Sequence, residues 1–279
     1  MIHNLIMVIF ILDFLNNTNY ILLAFLATLL TYLLTMLGAL SVFLFKKVNE
    51  KIMSFMFGFG AGVMIAASFF SLILPALNQL EEGSNNNSWI IIVSGFLTGG
   101  LFILLIDLFM PHLHINSNKT EGVKTNFSKK ILLVLSITLH NIPEGMAIGV
   151  AFASAFLDIP GSTYISALML AIGIGLQNIP EGMAVSLPLS TEGMSRRKAF
   201  FYGQASGIVE PISGIIGAVL VSFIKELLPF VLCFASGAMI YVVAEELIPS
   251  GKTNEKNKFG TIGVIIGFAI MMALDIALS

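Results

Sequence analysis

The sequence predicts an all-α integral membrane protein with eight transmembrane helices in a 3+2+3 arrangement. Three observations predict it. Apolar residues make up 57% of the 279 residues and charged residues only 11%, against about 25% charged in a soluble domain. Apolar runs recur eight times, each near the ~20 residues that a helix needs to cross the hydrocarbon core. Lysine and arginine gather in alternate breaks between those runs.

The runs cover roughly 21–45, 52–79, 88–110, 130–155, 163–188, 199–223, 228–250 and 258–279. The breaks between them are short, and none holds a soluble domain. Segment 21–110 carries helices 1–3, and 111–129 is a cytoplasmic loop. Segment 130–188 carries helices 4–5, and 199–279 carries helices 6–8. Residues 1–20 form a short apolar segment interrupted by Asp13. It lacks the positive start and small-residue cleavage site of a secretory signal, so an extra short membrane or interfacial helix is expected. The single cysteine, Cys233, excludes an intramolecular disulfide framework. A net charge of −2 gives no global field that would attract nucleic acid.

Cytoplasmic loops collect positive charge. Lys46, Lys47, Lys51, Lys119, Lys124, Lys129, Lys130, Arg196, Arg197, Lys198, Lys252, Lys256 and Lys258 all fall in one alternating set of breaks; Lys225 alone falls in the other. The first set is therefore expected in the cytoplasm. Both termini are expected on the extracytoplasmic side of a cell membrane.

Polar residues inside the spans carry the functional signal. "LHNIPEGMAIGV" begins at Leu139, and "LQNIPEGMAVSL" follows at Leu176 in the next span. At ~1.5 Å rise per residue, His140, Glu144, Gln177, Glu181 and Glu210 all fall near the bilayer midplane. Ionisable groups at that depth face a partner or an aqueous cavity. Three carboxylates at one level repel one another in low dielectric, and they need shared protons or a cation. Residues i and i+4 share a helix face, so His140 pairs with Glu144 and Gln177 with Glu181, with Asn141 and Asn178 beside them. Each motif proline frees the carbonyl four residues back, and a kinked helix at the midplane is one way to build an ion site. Gly145 and Gly182 allow close helix approach. One imidazole among carboxylates and amide oxygens suits zinc, iron, manganese or cobalt. Calcium prefers an all-oxygen shell.

These motifs resemble the fourth and fifth transmembrane helices of the ZIP family of divalent metal transporters, and within it the bacterial GufA-like branch. The resemblance extends along nearly the whole chain. "GAGVMIAASFFSLILPAL" is similar to the family's second helix and "IDLFMPHLH" to the end of its third. "GQASGIVEP" is similar to the sixth and "GAMIYVVAEELIP" to the seventh. The resemblance implies a two-metal site. One metal would use His140, Glu144, Gln177 and Glu181. The other would use Asn141, Glu144, Asn178, Glu181 and Glu210, with the glutamates bridging. GufA-like relatives often carry aspartate where this chain has Asn178, and others carry histidine where it has Gln177. The resemblance also makes Asp107, His112, His114, Glu245 and Glu246 a candidate cytoplasmic exit site, with Glu245 at a position where some relatives have histidine.

The expected function is a secondary carrier that moves a divalent metal into the cytosol by alternating access. Zinc leads, ahead of iron, manganese, cobalt and cadmium. The chain encodes no nucleotide-binding motif. No cofactor and no enzymatic activity are expected, because the HExxH spacing of an intramembrane metalloenzyme is absent. A channel-like, non-coupled metal pathway would use the same residues. Membrane lipid is the expected surrounding partner. The resemblance is compatible with a homodimer. It also implies that helices 1, 4, 5 and 6 slide as a bundle against helices 2, 3, 7 and 8.

Overall fold

A computed structural model describes residues 14–15, 17–45, 49–82, 87–109, 129–191, 193–223, 225–252 and 258–278. Among them the chain is helical throughout and has no strand. The all-α class is therefore observed. Helix α1 is Tyr20–Ala39. Helix α2 runs through Glu50–Ala67, a π-helical stretch Ser68–Ile73, and Leu74–Glu82. Helix α3 is Ser88–Phe109, α4 is Lys129–Phe156 and α5 is Tyr164–Thr191. Helix α6 comprises Arg196–Ala205, a 3-10 turn Ser206–Ile208, and Val209–Phe223. Helix α7 comprises Leu228–Val242, a π-helical stretch Val243–Leu247, and Ile248–Gly251. Helix α8 is Phe259–Leu278.

Seven of these helices are long and apolar enough to cross a membrane, and α4 matches them with 28 residues. The outer surface is greasy: Leu97 is 62% exposed and Phe109 is 68% exposed. The interior holds Thr28, Thr31, Thr35, Asn141, Glu144, Asn178 and Glu210. Apolar groups outside and polar groups inside are the arrangement that hydrocarbon as a solvent requires. Most of the segment 1–20 and all of 111–128, including His112 and His114, lie outside the described residues.

Two groups of helices emerge from the packing. Helices α1, α4, α5 and α6 all touch one another, with α4–α6 and α1–α5 the most extensive pairs. Helices α2, α3, α7 and α8 form the second group, led by α2–α8 and α3–α7. Glycines bring backbones together within each group. A Cβ on Gly182 would stand 2.0 Å from the Thr35 carbonyl oxygen, and one on Gly58 would stand 2.0 Å from that of Gly260. Between the groups the glycines meet side chains instead. Gly60 faces Gln177, and Gly173 faces Met271 and Val63.

The irregular stretches have a common cause that the sequence reading did not use. A proline cannot donate to the carbonyl four residues back, and its ring crowds that carbonyl. Counting back four from Pro75, Pro249 and Pro211 gives Ser71, Glu245 and Gly207. The first two lie in the π-helical stretches and the third lies in the 3-10 turn. The motif prolines, Pro143 and Pro180, sit inside helices that remain α-helical along their length. The breaks in hydrogen-bond register therefore fall in the neighbours of the motif helices.

Close packing at Gly182 sets a stability test. Gly182→Val should lower the stability of the purified protein by about 1–3 kcal/mol, the usual range for overpacking. Gly100→Ala should change it by no more than about 0.5 kcal/mol, because its Cβ would meet only the Gly237 carbonyl oxygen, at 3.5 Å. Thermal unfolding in detergent compares the two.

Candidate metal-transport site

The two repeated motifs occupy neighbouring helices, α4 and α5, and the glycine in each lets a third helix in. A Cβ on Gly145 would stand 2.4 Å from the Glu210 carbonyl oxygen, so α6 crosses α4 at the motif. Gly182 admits α1 to α5 in the same way. These two close approaches bring side chains of α1, α4, α5 and α6 together in the protein interior.

All seven midplane residues expected from the sequence are buried: His140, Asn141, Glu144, Gln177, Asn178, Glu181 and Glu210. Gln177 Nε2 donates to Glu144 Oε1 at 2.5 Å and to Glu181 Oε1 at 3.4 Å. A single amide thus bridges the two motif glutamates. Asn178 Nδ2 donates to Glu210 Oε2 at 2.8 Å and to the Thr31 carbonyl oxygen at 3.3 Å. Asn141 Nδ2 donates to Glu210 Oε1 and to the Ser206 carbonyl oxygen, both at 3.2 Å. The Ser206 carbonyl belongs to the 3-10 turn, so Asn141 ties α4 to the irregular backbone of α6.

The acidic groups are bridged by amides and not gathered around one point. Among the described residues, no group of three or more His, Cys, Asp and Glu side chains forms a ready metal shell. Five buried oxygens in the cluster nevertheless have no hydrogen-bond donor: Asn141 Oδ1, Glu144 Oε2, Gln177 Oε1, Asn178 Oδ1 and Glu181 Oε2. Buried polar atoms are almost always paired. Five unpaired acceptors, two of them on carboxylates, form an arrangement that a cation can satisfy.

The structure adds residues that the sequence reading missed. Thr35 Oγ1 donates to Glu210 Oε1 at 3.3 Å, and the Thr31 carbonyl oxygen accepts from Asn178 Nδ2. The signal was present in span 1 as Thr28, Thr31 and Thr35, a polar stripe on one helix face. The expected exit residues separate. Glu246 is buried while its neighbour Glu245 is exposed. Glu246 lies close enough to Glu181 for their charges to interact. Asp107 accepts a 2.9 Å hydrogen bond from the Tyr241 hydroxyl, which ties α3 to α7.

Comparison with known proteins bears on this geometry. A family model described as ZIP zinc transporter matches residues 18–130 and 114–275. The chain belongs to the ZIP zinc transporter family. Among its relatives is zinc transporter ZIP11 of Xenopus tropicalis, 37% identical over 91% of this chain and 96% of the relative. Zinc transporter GufA of Myxococcus xanthus is 35% identical over 90% and 97%. Zinc transporter ZIPB of Bordetella bronchiseptica is 38% identical over 88% and 77%. Family membership makes the chain a multi-pass membrane transporter and not an enzyme.

The amide bridges set a test of their own. In metal-free buffer, Asn141→Ala should cost about 1–3 kcal/mol, because it strips donors from buried acceptors. Asn141→Asp should cost more, since it sets a second carboxylate against Glu210. Thermal midpoints of wild type, Asn141→Ala and Asn141→Asp should fall in that order.

Proposed function

We propose that this transporter carries a divalent transition metal, with zinc foremost, into the cytosol by alternating access. Its midplane site is His140, Glu144, Gln177 and Glu181. The donorless buried oxygens of Glu144, Gln177 and Glu181 carry this reading. A divalent cation is the simplest partner for acceptors that no donor reaches in a dry interior. His140 adds one nitrogen to a mostly oxygen set, which suits borderline metals.

Gln177 supplies the step from the closed network to a metal shell. Its amide nitrogen now bridges Glu144 and Glu181, while its amide oxygen has no donor. Rotation of that amide withdraws the N–H groups and presents the oxygen. The same rotation releases both glutamates. Binding then replaces two hydrogen bonds with ligation by three side chains on facing helices, and His140 sits one turn before Glu144 on the same face.

Two rigid groups of helices support alternating access. Glycine-mediated backbone contacts lock α1 to α5 and α4 to α6 on one side, and α2 to α8 and α3 to α7 on the other. The surface between the groups consists of side-chain contacts such as Gly60 against Gln177 and Gly173 against Met271. Side-chain surfaces slide more readily than interlocked backbones. The site sits entirely on the first group, so movement of that group carries the metal with it. With the lysine-rich loops in the cytoplasm, a negative interior favours entry by roughly 4–5 kcal/mol per 100 mV for two charges. Glu246, buried and near Glu181, would receive the ion on the inward path.

Metal uptake into proteoliposomes tests the proposal. His140→Ala and Glu181→Ala should each reduce the initial rate by about tenfold or more while the protein remains folded. Wild-type rates from both variants would reject the site. Uptake that saturates with metal concentration identifies a carrier, whereas a linear dependence identifies a channel.

A further inference from the structure

The midplane residues differ in how their oxygens are satisfied. Glu144 and Glu181 each keep one oxygen, Oε2, with no donor. Glu210 keeps none. Asn178 Nδ2 reaches its Oε2 at 2.8 Å. Asn141 Nδ2 and Thr35 Oγ1 reach its Oε1 at 3.2 and 3.3 Å. These donors come from α5, α4 and α1, while Glu210 itself stands on α6.

Gly207 lets α6 pack beside this carboxylate: a Cβ there would stand 3.0 Å from Glu210 Oε1 and 3.0 Å from Thr35 Oγ1. An ion at Glu210 would have to displace two amide N–H groups and a threonine hydroxyl.

We infer that Glu210 is a positioning residue and not a metal ligand, and that the chain binds one metal ion per molecule. Asn178 decides this. A carboxylate at that position could face Glu210 only with a cation between them. The amide brings its own positive edge, so the pair is neutralised by hydrogen bonds and needs no ion. Glu210 then works as a staple: one buried anion accepts bonds from three other helices and holds α1, α4, α5 and α6 as one body. The inference rests on the metal site proposed above, and it assigns that site's single ion to His140, Glu144, Gln177 and Glu181.

Zinc titration of the purified full chain, by calorimetry and by metal analysis after desalting, tests it. Wild type should bind one zinc. Asn178→Asp should bind two, because it restores a carboxylate pair at Glu210. Glu210→Gln should weaken zinc binding by less than about threefold and Glu181→Gln by more than about tenfold. Glu210→Ala should lower the unfolding temperature, and Glu210→Gln should recover part of the loss by keeping one acceptor for Asn178. Two zinc ions on wild type would overturn the inference. So would a Glu210→Gln defect equal to that of Glu181→Gln, and both results would leave the proposed site standing. Unchanged zinc affinity in Glu181→Gln would instead reject that site. Should the Glu210 variants fail to fold, the wild-type and Asn178→Asp stoichiometries decide.

Discussion

Burying carboxylates in a medium that cannot solvate them is the constraint from which this molecule is built. Glu144, Glu181 and Glu210 lie in the interior with Glu246 close to Glu181. A buried charge persists only where it is paired or hydrogen-bonded. Glu144 and Glu181 answer that demand incompletely, and Glu210 answers it fully. Its surroundings are arranged to satisfy it, with amides and hydroxyls delivered from three other helices. The motif glutamates share one amide from Gln177 and leave an oxygen each without a donor. On the proposed reading, satisfaction makes Glu210 structural and dissatisfaction makes the other pair the metal-binding one.

Glycine packing is what allows this polar centre to form. Amide and hydroxyl side chains are short, so a bond from α1 or α5 to Glu210 requires backbones in near contact. Gly182 brings α1 against α5, and Gly145 brings α6 against α4. Both glycines belong to the same motifs that supply the glutamates. The motif therefore specifies ligand, break and close approach within a few residues. The same device, placed elsewhere, locks α2 to α8.

Prolines work less directly than the motif suggests. Pro143 and Pro180 interrupt hydrogen bonding, yet α4 and α5 continue as α-helices past them. Changes of helical type occur upstream of Pro75, Pro211 and Pro249. π-helical turns are frequent at functional sites. Here one of them contains Glu246 and the 3-10 turn presents the Ser206 carbonyl to Asn141. The scaffold helices and α6 thus carry the irregular backbone, while the motif helices carry the side chains.

The sequence by itself determined the membrane as solvent, the helical class and the repeated motifs. Those properties are local: composition, run length and i, i+4 spacing each reside in a single segment. It also marked every residue of the midplane cluster on α4, α5 and α6. It did not reveal Thr35 as a partner of Glu210, because that contact joins residues 175 positions apart and depends on which faces of α1 and α6 meet. It did not separate Glu245 from Glu246, because a π-helical stretch rotates successive residues differently from the regular spacing. Only the tertiary structure decided which carboxylate is satisfied and which oxygens are left over. That outcome depends on donors supplied across helix interfaces, and no single helix encodes it.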